Sequence, residues 1–234
     1  MSNYVSAIIV AAGNSTRMGT EQSKQFIPLL GKPAIAYTLR AFQNSALINE
    51  IIVVCRDEDL VTLRDIAAQN GIEKLAQIVK GGDSRAESVK NGVKAVSAQA
   101  KYLAIHDGAR PLISVEEINS VVEAAFENDA ATLGTDVTDT IKVVDDDNQV
   151  VSTPDRSTLR AVQTPQVFDK EMYEFALDKA GDSLDGFTDD CSLIESIGVS
   201  IEVVKGSAEN IKLTTPFDVM IAESILKNRK QEQS

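Results

Sequence analysis

Short apolar runs alternate with amphipathic stretches over the first part of the chain, and this alternation leaves few folds open. Val5-Ser-Ala-Ile-Ile-Val-Ala reads as a buried strand. So do Ile51-Ile-Val-Val-Cys, Ala76-Gln-Ile-Val and Tyr102-Leu-Ala-Ile, and Ala130 to Leu133 looks like a further strand. Between them, residues 34–44, 58–70, 86–98 and 115–128 carry apolar positions at helical spacing. Strands that alternate with helices build βαβ units. Their right-handed crossovers put helices on both faces of the sheet. The expected fold is α/β: a Rossmann-like, open, mostly parallel sheet. Such sheets take ligands beyond the carboxyl ends of their strands, so chemically active side chains are expected there.

The pattern breaks near Val137. Thr140-Ile-Lys-Val-Val, Asp145-Asp-Asp-Asn and Gln149-Val-Val-Ser read as a β-hairpin with an acidic turn. This arm, at about 137–160, is expected to project from the main sheet. An exposed hairpin needs a partner for its edge and apolar side, and a dimer contact is the simplest answer. Beyond it, helices are expected near 170–180 and 189–197, a strand at 200–204 and a last helix over 216–228. Pro216 suits the first turn of that helix. The polar tail from Lys227 is expected to fray.

The chain has 234 residues and a formal net charge of −12. That balance argues against a nucleic-acid or anionic-membrane surface, where a basic face is expected. It also means that any phosphate must be held by a local cluster of Lys, Arg and backbone N–H groups against an unfavourable overall field. No apolar run approaches the roughly 20 residues that span a bilayer. The first ten residues lack a basic region and a small-residue cleavage site, so no signal peptide is expected. Cys55 and Cys191 are the only cysteines. They read as buried and reduced, which suits a cytoplasmic protein.

The first strand runs directly into Ala11-Ala-Gly-Asn-Ser-Thr-Arg-Met-Gly. Small residues at such a turn let backbone N–H groups approach phosphate oxygens. The spacing is neither the dinucleotide fingerprint nor a Walker A loop. It does carry Arg17 and, beyond Gly19, Lys24, two cations able to meet a triphosphate from different sides. Taken alone, the loop reads equally well as an ordinary turn with solvated charges.

Further motifs give the loop its context. Lys24-Gln-Phe and Leu30-Gly-Lys-Pro follow it. Then come Gly81-Gly-Asp-Ser-Arg-Ala-Glu-Ser-Val, His106-Asp-Gly-Ala-Arg-Pro, Val137-Thr-Asp-Thr-Ile-Lys, Asp155-Arg156, Gln163-Thr-Pro-Gln, Thr188-Asp-Asp and Asn210-Ile-Lys-Leu-Thr. In order and spacing they resemble the 2-C-methyl-D-erythritol 4-phosphate cytidylyltransferases, among the sugar-phosphate nucleotidyltransferases. The likeness runs from Ile8 to Glu223. One departure is Ser23, where that family usually has Pro.

The resemblance implies one nucleotidyltransferase domain over 1–234, with the arm serving a homodimer. It implies attack by a sugar-phosphate oxygen on the α-phosphorus of CTP, helped by Mg²⁺. Arg17 and Lys24 would stabilise charge on the triphosphate, with Ala11, Ala12 and Gly13 beside it. Gly82, Asp83 and Ser88 match the cytosine-reading segment. The same residues also read as a helix start, with Asp83 or Ser84 as cap and Glu87 following. Asp107, Ala109, Arg110, Thr140, Thr164 and Thr188 would meet the sugar alcohol, although Thr188 also reads as a helix cap. Arg156, from the neighbouring subunit, and Lys212 would hold its phosphate and count among the catalytic cations. Asp107 is also the one candidate metal ligand, with Mg²⁺ carried mainly on the triphosphate. His106, the only histidine, reads as structural. Ribitol 5-phosphate cytidylyltransferases are a close second resemblance. Ala11-Ala-Gly and Asp107-Gly-Ala-Arg-Pro favour the methylerythritol phosphate family over them. A catalytically dead nucleotide-binding scaffold is disfavoured by the presence of both Arg17 and Lys24.

Overall fold

The computed structural model describes residues 3–13 and 23–232. Strand β1 (Val5–Ala11) leads, past Lys24–Phe26 in a 3-10 turn, to a small antiparallel pair, β2 (Pro28–Leu29) and β3 (Lys32–Pro33). Then come α1 (Ala34–Asn44), β4 (Glu50–Cys55), α2 (Leu60–Gln69), β5 (Leu75–Lys80), α3 (Arg85–Ala95), β6 (Tyr102–Asp107), α4 (Val115–Asn128) and β7 (Ala130–Asp136). The second part holds β8 (Val143–Val144), β9 (Val150–Ser152), β10 (Arg160–Asp169), α5 (Lys170–Ala180), α6 (Asp190–Glu195), β11 (Glu202–Lys205) and α7 (Pro216–Glu232).

Seven strands form one sheet in the order β11-β7-β10-β6-β1-β4-β5. The pairs β6–β1, β1–β4, β4–β5 and β7–β11 are parallel, and β10 runs antiparallel to both of its neighbours. The sheet is therefore mostly parallel, as expected, with one reversed strand inside it.

Alternation of side chains along each strand explains why the central strands are continuously apolar. Ile9, Ile51 and Val53 face α1, α2 and α4, where Leu39, Phe42, Leu63 and Val121 complete one core. Ile8, Val54, Leu103 and Ile105 face the other way, against Val89 and Val93 of α3, Tyr173 of α5 and Ile194 of α6. Each fully buried Ile or Leu contributes roughly 1.5–3 kcal/mol. A smaller cluster seats α7 on the β2–β3 pair through Leu29, Leu213, Ala222 and Leu226. Two helix starts are closed by reciprocal capping, Ser114 with Glu117 for α4 and Asp189 with Ser192 for α6.

The longest strand, β10, occupies a segment with no strand-like pattern, because Gln163-Thr-Pro-Gln interrupts it. Pro165 falls where the register with β7 shifts, between Val162 and Gln166, so its missing N–H breaks no regular rung. The buried polar side chains find partners. Gln166 donates to Asp189 Oδ2 (2.8 Å) and accepts from the Cys191 N–H (3.1 Å), and Gln163 donates to the Ser207 carbonyl (2.9 Å).

The arm is shorter than the sequence suggests, five residues in its two strands. Its acidic turn is built by Asp145, whose Oδ1 accepts from the N–H groups of Asp147 (3.1 Å) and Gln149 (2.9 Å).

Candidate active site

Strands β1, β4, β5 and β6 all end on one side of the sheet, at Ala11, Cys55, Lys80 and Asp107. A cleft of about 550 Å³ opens there, and all four residues line it. This is the position that parallel-sheet topology favours for ligands.

One wall is the turn into α3. Ser84 is the cap: its hydroxyl accepts from the Glu87 N–H (3.1 Å), while Glu87 Oε2 accepts from the Asp83 N–H (2.8 Å). The cap is thus Ser84 and not Asp83. Ser88 lies one turn further. Its hydroxyl donates to the Ser84 carbonyl (2.9 Å) and accepts from the Gly82 N–H (3.1 Å), which pins the glycine pair to the helix. A side chain at Gly81 would strike Ala12 Cβ and Ser88 Oγ, and one at Gly82 would strike Glu87. Glycine is required where the first turn and the start of α3 approach each other so closely. Ala11, Ala12, Gly13, Lys24, Gly82, Asp83 and Ser88 all line the cleft.

The other wall centres on Asp107. Its Oδ2 lies 2.7 Å from Lys212 Nζ and 3.9 Å from Arg110 Nε, and its Oδ1 lies 3.5 Å from Arg85 Nε. Burial alone would raise its pKa, but Lys212, Arg85 and Arg110 outweigh burial and hold the carboxyl well below the usual range. Arg85 also reaches Asp190 Oδ2 at 2.8 Å. Burial opposes its charge, but Asp190 and Asp107 more than offset that and keep the guanidinium charged. Lys212 is delivered by a strap: Leu213 N–H donates to the Ala109 carbonyl (2.8 Å), and Arg110 Nη1 donates to the Asn210 carbonyl (2.7 Å). Asn210, fully buried, donates to the Thr164 carbonyl (3.0 Å).

His106 lies beneath this wall, completely buried against Phe42, ring centroids 5.0 Å apart. Thr164 Oγ1 accepts from the Asp107 N–H (3.1 Å) and lies 3.0 Å from His106 Nδ1. The Arg110 carbonyl, 3.3 Å from Nε2, can only accept, so in the neutral ring Nε2 carries the proton and the Thr164 hydroxyl donates to Nδ1. Burial depresses the imidazole pKa to about 3. The ring is neutral and acts as a strut between β6, β10 and the loop after β6.

Comparison with known proteins shows the family and the fold. The sequence profile of the 2-C-methyl-D-erythritol 4-phosphate cytidylyltransferases (IspD) matches residues 5–228, nearly the whole chain. The chain belongs to the 2-C-methyl-D-erythritol 4-phosphate cytidylyltransferase family. A relative of that name from Caldanaerobacter subterraneus subsp. tengcongensis is 44% identical over 95% of this chain and 99% of its own. Another, from Alkaliphilus metalliredigens, is 42% identical over 98% of this chain and 96% of its own. The crystal structure of 4-diphosphocytidyl-2C-methyl-D-erythritol synthase from Anaerococcus prevotii superposes with a TM-score of 0.86 at 32% identity, covering 97% of this chain and 100% of that one.

Not every residue that the cytidylyltransferase resemblance singled out reaches this cleft. Arg17 lies outside the described residues. Thr140 and Arg156 are exposed on the arm side, and Arg156 Nη1 donates to the Thr138 carbonyl (2.7 Å). Within one chain they do not line the cleft. Thr188 borders a separate small cavity beside Arg85 and Phe187, and the cap of α6 is its neighbour Asp189. Thr164 and Arg110 stand behind Asp107 and shape it. Asp107 lacks the surroundings of a metal ligand. Three cations already face its oxygens, and among the described residues no cluster of three His, Cys, Asp or Glu side chains is placed to hold an ion. Three residues that line the cleft were not singled out from the sequence. Arg85 looked like part of a helix start, Gln25 was only the middle residue of Lys24-Gln-Phe, and Arg56 lay in no motif. Gln25 is buried and donates to the Ala11 carbonyl at 2.7 Å.

Proposed function

We propose that the chain transfers a cytidylyl group from magnesium–CTP to 2-C-methyl-D-erythritol 4-phosphate, giving 4-diphosphocytidyl-2-C-methyl-D-erythritol and pyrophosphate. The observation that carries this reading is that Lys24, beside the glycine turn, and Lys212, beside Asp107, line one cleft. One cation serves each phosphate that must meet.

Backbone N–H groups of Ala12 and Gly13 face the triphosphate, and Lys24, with Arg17 from the preceding loop, stabilises charge at the α-phosphorus. The segment with Gly82, Asp83 and Ser88 receives cytosine. Asp107, with Ala109 beside it, takes the sugar-alcohol hydroxyls, and Lys212 takes the phosphate, joined by Arg156 of a second subunit. A phosphate oxygen forms a bond to the α-phosphorus, and the bond from that phosphorus to the bridging oxygen breaks as pyrophosphate leaves. The nucleophile is an anion near neutral pH, so the step needs no general base. Catalysis rests on positioning and charge. The donor set does not fit a resident Mg²⁺, so the divalent cation arrives as part of the nucleotide substrate.

The arm supports a homodimer in this reading, and the absence of any helix long and apolar enough to cross a membrane among the described residues is consistent with cytoplasmic action. Pyrophosphate release with CTP and either sugar phosphate tests the assignment. Turnover with methylerythritol phosphate and at least about tenfold lower kcat/KM with ribitol 5-phosphate is expected. The reverse preference would replace the acceptor.

A further inference from the structure

Asp59 stands just ahead of α2 and is almost completely buried. An aspartate at that position ordinarily accepts from the first N–H groups of its helix. Asp59 does not: its backbone is already helical (φ −92°, ψ −11°) and its side chain makes no cap bond. The carboxylate turns to other donors. Arg56 grips it with both edges of its fork, Nε to Oδ2 at 2.9 Å and Nη2 to Oδ1 at 3.2 Å. Ser23 Oγ and Gln25 Nε2 each approach Oδ2 at 3.4 Å. The remaining guanidinium nitrogen of Arg56 is 3.1 Å from Glu58 Oε1. With Nε and Nη2 on Asp59 and Nη1 beside Glu58, Arg56 neutralises the buried Asp59.

Ser23 and Gln25 flank Lys24. Lys24 opens a three-residue 3-10 turn that has no side-chain cap of its own, and both Ser23 and Gln25 are buried. Gln25 Nε2 reaches the Ala11 carbonyl as well, so Asp59 and the end of β1 share one amide. The turn is thus moored on either side of Lys24 to a single carboxylate rooted at the end of β4, and through Gln25 to the strand that delivers the phosphate-binding turn.

We propose that Asp59 is a positioning residue for nucleotidyl transfer, holding Lys24 at a fixed place beside the Ala11–Gly13 turn through Ser23 and Gln25. The inference rests on the reading of Lys24 as the triphosphate-binding cation. It assigns Asp59 no contact with substrate.

A double-mutant cycle with magnesium–CTP and methylerythritol phosphate tests it, with melting temperature followed alongside. Lys24→Ala should lower kcat on the order of 10²-fold. Asp59→Ala should lower kcat on the order of tenfold while the KM for the sugar phosphate stays within about twofold. In the Lys24→Ala background the same change should cost less than about twofold, because the group it positions is gone. Asp59→Asn keeps an acceptor for Ser23 and Gln25 and should recover most of the turnover. Equal losses in both backgrounds would overturn the proposal even where Lys24→Ala behaves as expected. A silent Lys24→Ala would instead remove the role of Lys24 and this inference with it. Should Asp59→Ala fail to fold, Ser23→Ala removes one mooring and carries the same cycle, with a loss of about threefold beside intact Lys24 and none without it. Equal losses there would also overturn the proposal.

Discussion

His106 shows how a single side chain can be essential to a site without entering its chemistry. It is completely buried beside Phe42, the Thr164 hydroxyl and the Arg110 carbonyl, and that burial disfavours the charged imidazolium. The neutral form is fixed in the folded chain, with a pKa of about 3 against an ordinary value of 6.5. The sign follows directly. Above pH 6.5 neither state is protonated and the group does not affect stability. Below it the unfolded chain takes up a proton that the folded chain refuses, so stability falls as pH falls toward 3. At pH 5 the loss from this residue is about 2 kcal/mol. Denaturant titrations at pH 7.5 and pH 5 should show that His106→Gln, though less stable at pH 7.5, has a smaller difference between the two pH values by about that amount. An unchanged difference would mean that the imidazole is protonated or exposed in the native state. Asp107 behaves oppositely. Three cations keep it ionised, so the wall it anchors keeps its charge pattern through the same range.

At the scale of elements, the central strands β1, β4 and β6 were legible because burial on both faces writes itself as an unbroken apolar run. The helices were legible by their spacing. Strand β10 was not, since its middle is Gln163-Thr-Pro-Gln, and those polar side chains are tolerated only because Ser207, Asp189 and Cys191 supply partners from distant parts of the chain. The same logic hid Arg85. Its sequence neighbours spell a helix cap, which is present, while its partners Asp107 and Asp190 lie on other elements. Ser23 stands where the family usually has a proline. It is buried, and its hydroxyl meets Asp59. The arm was legible as a hairpin, and its exposed side chains now give it a test. Val143, Val144, Val150 and Val151 are between 44% and 63% exposed, an apolar strip with nothing over it in one chain. In our reading a second subunit covers it and receives Arg156. Val144→Glu with Val151→Glu should convert a dimer to a monomer by light scattering. Turnover should fall at least about tenfold, and the fold should persist because neither valine is in the core. A fully active monomer would remove Arg156 from the site.

At the scale of the whole molecule, a chain with a formal charge of −12 must concentrate its cations to bind a triphosphate. Where four parallel strands end, Lys24, Arg56, Lys80, Arg85 and Lys212 line one cleft together with Asp57, Glu58, Asp83 and Asp107, so cations exceed acids there against the overall balance. Topology provides the place, the first turn and the start of α3 provide the close approach, and the strap from Asn210 to Leu213 provides the second lysine. In our reading this cleft seats CTP on the glycine-turn side and leaves the Asp107 side for the sugar phosphate. A crystal structure with magnesium and CTP distinguishes the two sides. Triphosphate oxygens are expected within about 3 Å of the Ala12 or Gly13 N–H groups and of Lys24 Nζ, the cytosine against Gly82 and Ser88, and Lys212 free of the nucleotide. A cytosine seated on Asp107, or a triphosphate held by Lys212 and away from the first turn, would contradict this reading.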